Sequence, residues 1–163
     1  MPERIKREYR LARIFSTVGA VFLYLLFIYC LIALILLAAV LALHHPTTPT
    51  RSLFPALALM SHVSTAGAVL FMAEFLRRFR KAGSPFSSRQ SLRLSGAAAL
   101  LVVRTLIDQL VPTFDPIATS AGAVIVPQSG LDLKVIVMIV FLICLAMVVR
   151  YGDALKEDSD AFV

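Results

Sequence analysis

The sequence predicts an all-α integral membrane protein, a bundle of four transmembrane helices with both termini on the cytoplasmic side. Three observations predict it. The chain of 163 residues is 59% hydrophobic, with a mean hydropathy of +0.85, whereas soluble domains average about 45–50% apolar. Its apolar residues fall in four long runs, and its Lys and Arg residues gather in two clusters between and before them. A core this small cannot hide the apolar excess, so lipid must solvate the surface. The length allows one domain, residues 1–163.

The first run, 15–43, carries no charge over 29 residues. About 20 residues rising 1.5 Å each cross a hydrocarbon core of about 30 Å, so this helix tilts or projects. Basic residues precede it as in a signal peptide, but a signal h-region is only about 7–15 residues long. The run is therefore a retained anchor. The second span is expected at 53–76, the third at 92–111 and the fourth at 132–151. His44, His45, Pro46 and Pro49 break the chain after the first run, Gly83 and Pro85 after the second, and Pro112, Pro116 and Pro127 after the third. Proline lacks the N–H that a helix interior needs and clashes with the preceding turn.

Orientation follows from the basic residues near span ends. Arg4, Lys6, Arg7, Arg10 and Arg13 precede the first span, and Arg77, Arg78, Arg80, Lys81, Arg89 and Arg93 lie between the second and third. Only Arg51 and Lys134 flank the spans on the other side. Eleven against two assigns 1–14, 77–91 and 152–163 to the cytoplasm. The external connection 112–130 is apolar, with Ile117, Val124, Ile125 and Val126. It holds a short hairpin or lies on the bilayer, and the sequence does not choose between them. Residues 2–13 place Ile5, Tyr9 and Ala12 at helical spacing among basic residues, which suits an interfacial helix attracted to anionic lipid. The acidic tail, with Asp153, Glu157, Asp158 and Asp160, can fold back on the arginines or face a basic partner; exposed ion pairs contribute only about 0–1 kcal/mol each.

Several chemistries find no support. Cys30 and Cys144 sit within apolar runs, with no Cys-x-x-Cys or Cys/His spacing, and read as small buried hydrophobes. His44 and His45 read as interfacial. No metal, cofactor or catalytic motif is present, and no basic face remains for direct nucleic-acid binding once the spans are placed.

Polar residues inside the spans are the exception to generic apolar helix. Arg104 and Asp108 lie four apart in the third span, on one helix face, and can pair; Gln109 follows. Ionisable side chains at membrane depth are expensive and face a bundle interior or a cavity. Arg104 lies about 10 Å below the outer boundary and His62 of the second span about 13 Å. His62, Arg104 and Asp108 are therefore expected to form one polar cluster, with His62 approaching Asp108, either as a structural lock or as a functional site. Ser61, Ser64, Thr65, Gly67 and Ala68 in the second span, with Ser95, Gly96, Ala97, Ala98 and Ala99 in the third, permit close backbone approach and predict a tight hairpin. Glu74 is expected to pair with Arg77 or Arg78.

Two cytoplasmic segments carry a resemblance. One is the turn Gly83-Ser84-Pro85-Phe86-Ser87, followed by Ser88-Arg89-Gln90; the other is the ending with Gly152, Leu155, Glu157 and Val163. Together with the four-span layout they resemble the small bacterial membrane proteins grouped as domain of unknown function 2975. The resemblance implies a bacterial inner-membrane location and, because such proteins are often encoded beside a small helix-turn-helix regulator, a cytoplasmic protein partner. It transfers no catalytic residue. The turn also has a purely structural account: Gly83 can end a helix with positive φ, and Ser87 with Gln90 fits an N-terminal capping box.

The expected function is thus non-enzymatic: a regulatory or sensing membrane protein working through its cytoplasmic face. Pro85, Phe86, Ser87, Gly152, Leu155, Glu157 and Val163 are the candidate contact. The alternative is a small transporter or channel subunit using His62, Arg104 and Asp108; with four spans, a pore requires an oligomer. No cofactor is expected. The topology is tested by cysteines placed at Ser88 and Ser159 in a background lacking Cys30 and Cys144. An impermeant maleimide should leave both unlabelled in intact spheroplasts and label both after permeabilisation; labelling before permeabilisation refutes it.

Overall fold

The computed structural model describes residues 3–43, 49–82, 88–111, 117–118, 124–125 and 132–161. Four helices follow one another: α1 (Glu3–Leu43), α2 (Pro49–Ala82), α3 (Ser88–Leu110) and α4 (Leu133–Ala161). All four are long and apolar enough to cross a membrane, over Ile14–Ala39, Phe54–Arg78, Arg89–Leu110 and Leu133–Leu155. The chain is a multi-pass membrane protein.

The helices exceed the apolar runs. α1 continues unbroken from Glu3 through the first span, so the basic N-terminal segment is the same helix and not a separate interfacial one. Arg, Lys and Glu are good helix formers, and hydropathy alone does not see where such a helix begins. α4 likewise carries the span into the tail as far as Ala161. At its start the Asp132 carboxylate accepts from the Lys134 N–H at 2.9 Å, and its carbonyl accepts from the N–H groups of Val135 and Ile136. Asp132 is thus an N-cap. Of the two alternatives for the third connection, the hairpin is present: β1 (Ile117–Ala118) pairs antiparallel with β2 (Val124–Ile125).

Each helix packs on its neighbours in sequence, α1 on α2, α2 on α3 and α3 on α4, in an antiparallel row. One end of the row carries the start of α1, the end of α4 and the 82–88 connection (the basic end); the other carries the hairpin. The core lies between α2, α3 and α4: Ala68 and Phe75, then Leu94, Ala97, Ala98 and Leu101, then Leu142, Ala146 and Val149. On α2 and α4 these residues recur every three, four or seven positions, one helical face; on α3 the adjacent Ala97 and Ala98 widen that face, and α3 packs on both neighbours. Alanines dominate because lipid tails are as apolar as leucine, so contact energy comes from close approach of backbones. Gly67 leaves room for a side chain of α3: a Cβ there would lie 2.8 Å from Leu100 Cδ1. α1 packs on one neighbour and is the least buried span.

Ala97→Leu should separate α2 and α3, because Ala97 has no exposed surface and overpacking costs about 1–3 kcal/mol. Ala99→Leu, on the exposed face of the same helix, should be neutral. Unfolding by sodium dodecyl sulfate from mild detergent compares the two; equal midpoints refute the packing described.

Candidate intramembrane polar site

Three buried serines tie the row together, one at each interface. Ser16 on α1 donates to the Leu76 carbonyl of α2 at 2.8 Å. Ser61 on α2 donates to Asp108 Oδ1 of α3 at 2.7 Å. Ser91 on α3 donates to the Ala146 carbonyl of α4 at 3.0 Å. Ser64, Thr65 and Thr105 instead donate to carbonyls four residues back in their own helices, which satisfies a hydroxyl without a partner helix.

Asp108 is the centre of the middle tie. Its second oxygen, Oδ2, faces Arg104 Nε at 3.4 Å, and the two side chains retain 30% (Arg104) and 25% (Asp108) exposure. Arg104 takes no further bond among the described residues, so its two terminal amino groups keep their donors. Arg104 lines a cleft of about 220 Å³. α2 forms the floor with Ser61, His62 and Thr65; α1 contributes Tyr29, Cys30 and Ala33, and α3 contributes Arg104. The cleft lies at membrane depth, since His62 is eight residues inside the Phe54 end of its span, about 12 Å.

His62 and Arg104 therefore share one cleft, and Arg104 pairs with Asp108, but the residue that reaches Asp108 from α2 is Ser61. The His62 ring turns back along α2, its Nδ1 lying 3.0 Å from the Ala58 carbonyl. A carbonyl only accepts, so Nδ1 carries the proton, and Nε2 of a neutral ring is left as an acceptor. His62 and Tyr29 are both exposed, Tyr29 to 68%. Side chains exposed on a spanning helix at this depth lie on the lateral surface of the bundle. Gln109 is exposed on α3 near the hairpin end.

Sequence pattern held a signal for Ser61. It lies seven residues before Ala68 and fourteen before Phe75, both in the core shared with α3; that spacing keeps all three on one face. His62 is rotated about 100° away.

A second polar group sits toward the basic end. Tyr24 on α1 donates to Glu74 Oε1 at 2.9 Å, Arg77 Nη2 donates to Oε2 at 2.9 Å, and Arg78 lies 3.9 Å from the same oxygen. Tyr24 and Arg77 also border a smaller cavity of about 160 Å³ between α1 and α2. Gln90 is buried, and its Oε1 accepts from Arg93; its proposed capping partner Ser87 lies outside the described residues. Of the candidate cytoplasmic contact, Gly152 and Leu155 are on α4, with Leu155 exposed. Glu157 is on the same helix without a described side chain, and Pro85, Phe86 and Val163, like Gly83, His44 and His45, lie outside the described residues. No group of three metal-ligating side chains occurs among the described residues.

Comparison with family models, curated proteins and solved structures returns no match. The chemistry of the cleft is read from its own residues.

Asp108→Ala should cost about 2–3 kcal/mol of stability, because it leaves Arg104 unpaired at membrane depth. Ser61→Ala should cost about 0.6–1.7 kcal/mol, the range for single interhelical hydrogen bonds in membranes. In a double-mutant cycle on detergent unfolding, the Ser61→Ala effect should vanish once Asp108 is alanine; full additivity refutes the contact.

Proposed function

We propose that this chain is a non-enzymatic bacterial inner-membrane protein that senses through the intramembrane cleft and signals through its cytoplasmic face. The observation that carries the proposal is the continuity of α4, which runs as one helix from Leu133 in the span to Ala161 in the tail. Its apolar face packs on α3 through Leu142, Ala146 and Val149, and Ser91 ties it to α3 directly. The same α3 carries Arg104 and Asp108. A displacement of α3 at the cleft is thereby passed to the tail along helices, which are stiff elements suited to coupling two distant sites.

The partner implied by the resemblance is a small helix-turn-helix regulator. The exposed Leu155 on α4 offers an apolar anchor beside the acidic residues of the tail, a combination that suits a basic protein. The cleft alone favours the alternative, a transport or channel subunit, since Arg104 and His62 place polar groups at membrane depth.

Truncation after Gly152 discriminates. Spans and basic flanks govern insertion, so the truncated chain should insert as the full chain does, and should lose capture of a co-expressed small helix-turn-helix regulator. A truncated chain that inserts and still captures the regulator refutes signalling through the tail. Uptake of substrate or ions by proteoliposomes of the truncated chain would favour the transport reading.

A further inference from the structure

We propose that the cleft binds the head of a lipid-soluble carboxylic acid, such as a medium- or long-chain fatty acid, received from the bilayer in its neutral form. The inference rests on the preceding reading that the cleft is a binding site, and it adds the class of ligand.

Access limits the ligand first. The cleft is lined by α1, α2 and α3, and its Tyr29 and His62 are exposed on the lateral surface of the bundle, about 12 Å inside the span. A molecule arriving there has travelled through hydrocarbon, where an isolated charge is several kcal/mol unfavourable. It therefore arrives neutral and amphiphilic. Size comes next: a cleft of about 220 Å³ exceeds the roughly 150 Å³ that holds benzene. A carboxyl group and the first few methylenes fit, and the rest of the chain stays in lipid.

Charge and hydrogen bonding then select the head group. Arg104 and Asp108 carry opposite charges 3.4 Å apart, so beside a neutral imidazole the pair leaves no net charge. Arg104 offers its terminal amino groups, which bind a carboxylate as a planar two-donor fork. His62 offers Nε2 as an acceptor, because Nδ1–H is committed to the Ala58 carbonyl. A neutral carboxylic acid matches both: its carbonyl oxygen accepts from Arg104 and its hydroxyl donates to Nε2. The acid O–H bond then breaks, its electron pair stays on the carboxylate, and the proton forms a new Nε2–H bond. The products are a carboxylate on Arg104 and an imidazolium that keeps its Nδ1–H bond to Ala58. The net charge of the site is unchanged by the transfer, so no uncompensated charge is left in the bilayer. The other titratable groups around His62 are Tyr29 and Cys30 from α1, and Arg104 and Asp108 from α3. An alcohol or an ester lacks either the transferable proton or the anion that the guanidinium fork matches.

The experiment uses the full chain in phosphatidylcholine nanodiscs, with ¹⁵N-labelled histidine in a His44→Gln, His45→Gln background so that His62 alone reports. Decanoic acid labelled with ¹³C at its carboxyl is titrated in. The expected result is saturable one-to-one binding, a carboxylate ¹³C signal distinct from that of acid in empty nanodiscs, and an imidazolium ¹⁵N signal that grows with occupancy. Arg104→Gln should weaken binding at least about tenfold, the effect of losing a hydrogen bond to a charged group. Ala33→Phe, which fills the cleft and leaves the Arg104–Asp108 pair in place, should abolish binding if Arg104→Gln proves unstable. Equal binding by wild type and Ala33→Phe overturns the proposal, since the acid is then merely dissolved in lipid. Decanol or methyl decanoate binding as tightly as the acid, with loss on Ala33→Phe, also overturns it while leaving the cleft a binding site. No saturable binding by acid, alcohol or ester overturns the proposal and removes support for the cleft as a sensing input as well.

Discussion

A polar side chain inside hydrocarbon has no water to fall back on, and this constraint organises the protein. Ser16, Ser61 and Ser91 are all buried, and each spends its hydroxyl on the next helix in the row. Two of them reach a backbone carbonyl and one a carboxylate. Since an apolar face gains little by leaving lipid for another apolar face, these bonds and the close approach that small residues permit decide which helices pair. They do so in sequence order, which is why the helices form a row.

The middle tie differs from the other two in kind. Asp108 answers Ser61 and Arg104 at once. Helix α2 is thereby fixed to α3 through a group that also neutralises a guanidinium. An arginine at membrane depth is costly by about 2.5–3.5 kcal/mol, well above the roughly 0.6 kcal/mol of an average interhelical hydrogen bond in a membrane. A structural lock between α2 and α3 would therefore need Ser61 and an acceptor, but no arginine. That an arginine is present there, lining a cleft, is the imbalance that the binding proposal accounts for.

Much of this was legible in the sequence, for identifiable reasons. The four spans are visible because an apolar run of about 20 residues, coiled as a helix, matches the thickness of the hydrocarbon layer. The α2–α3 hairpin follows from facing runs of small residues, and the Arg104–Asp108 and Glu74–Arg77 pairs follow from helical spacing. Depth along the helices was also legible, which is why His62 and Arg104 meet at one level. Azimuth was not. Matching depths led to His62 as the partner of Asp108, yet one residue step rotates a side chain by about 100°, and Ser61 holds that bond. The helical spacing of Ile5, Tyr9 and Ala12 was legible, but the continuity of that segment with the first span was not, because hydropathy marks only where a helix enters lipid. The contribution of α1 to the cleft escaped as well, since Tyr29, Cys30 and Ala33 carry no charge to distinguish them from their apolar neighbours.

Helix α1 is also the element held least evenly. Its described side-chain bonds to α2, from Ser16 and Tyr24, both lie toward the basic end of the span. Toward the hairpin end, at Tyr29 to Ala33, it borders the cleft. On α1 the hydrogen-bonded segment and the cleft-lining segment are thus separate, Ser16 to Tyr24 and Tyr29 to Ala33. The hydrogen-bonded segment is not held by apolar packing alone, because Tyr24 is bonded to Glu74, and Glu74 to Arg77 and Arg78 at the basic flank. The hydrogen bonds Tyr24–Glu74 and Arg77–Glu74 thus join α1 to the charged flank of α2. On the far side of the row, the Ser91 tie joins α3 to α4. Both sets of contacts lie between the polar cleft and the basic end of the bundle, which carries the start of α1 and the end of α4.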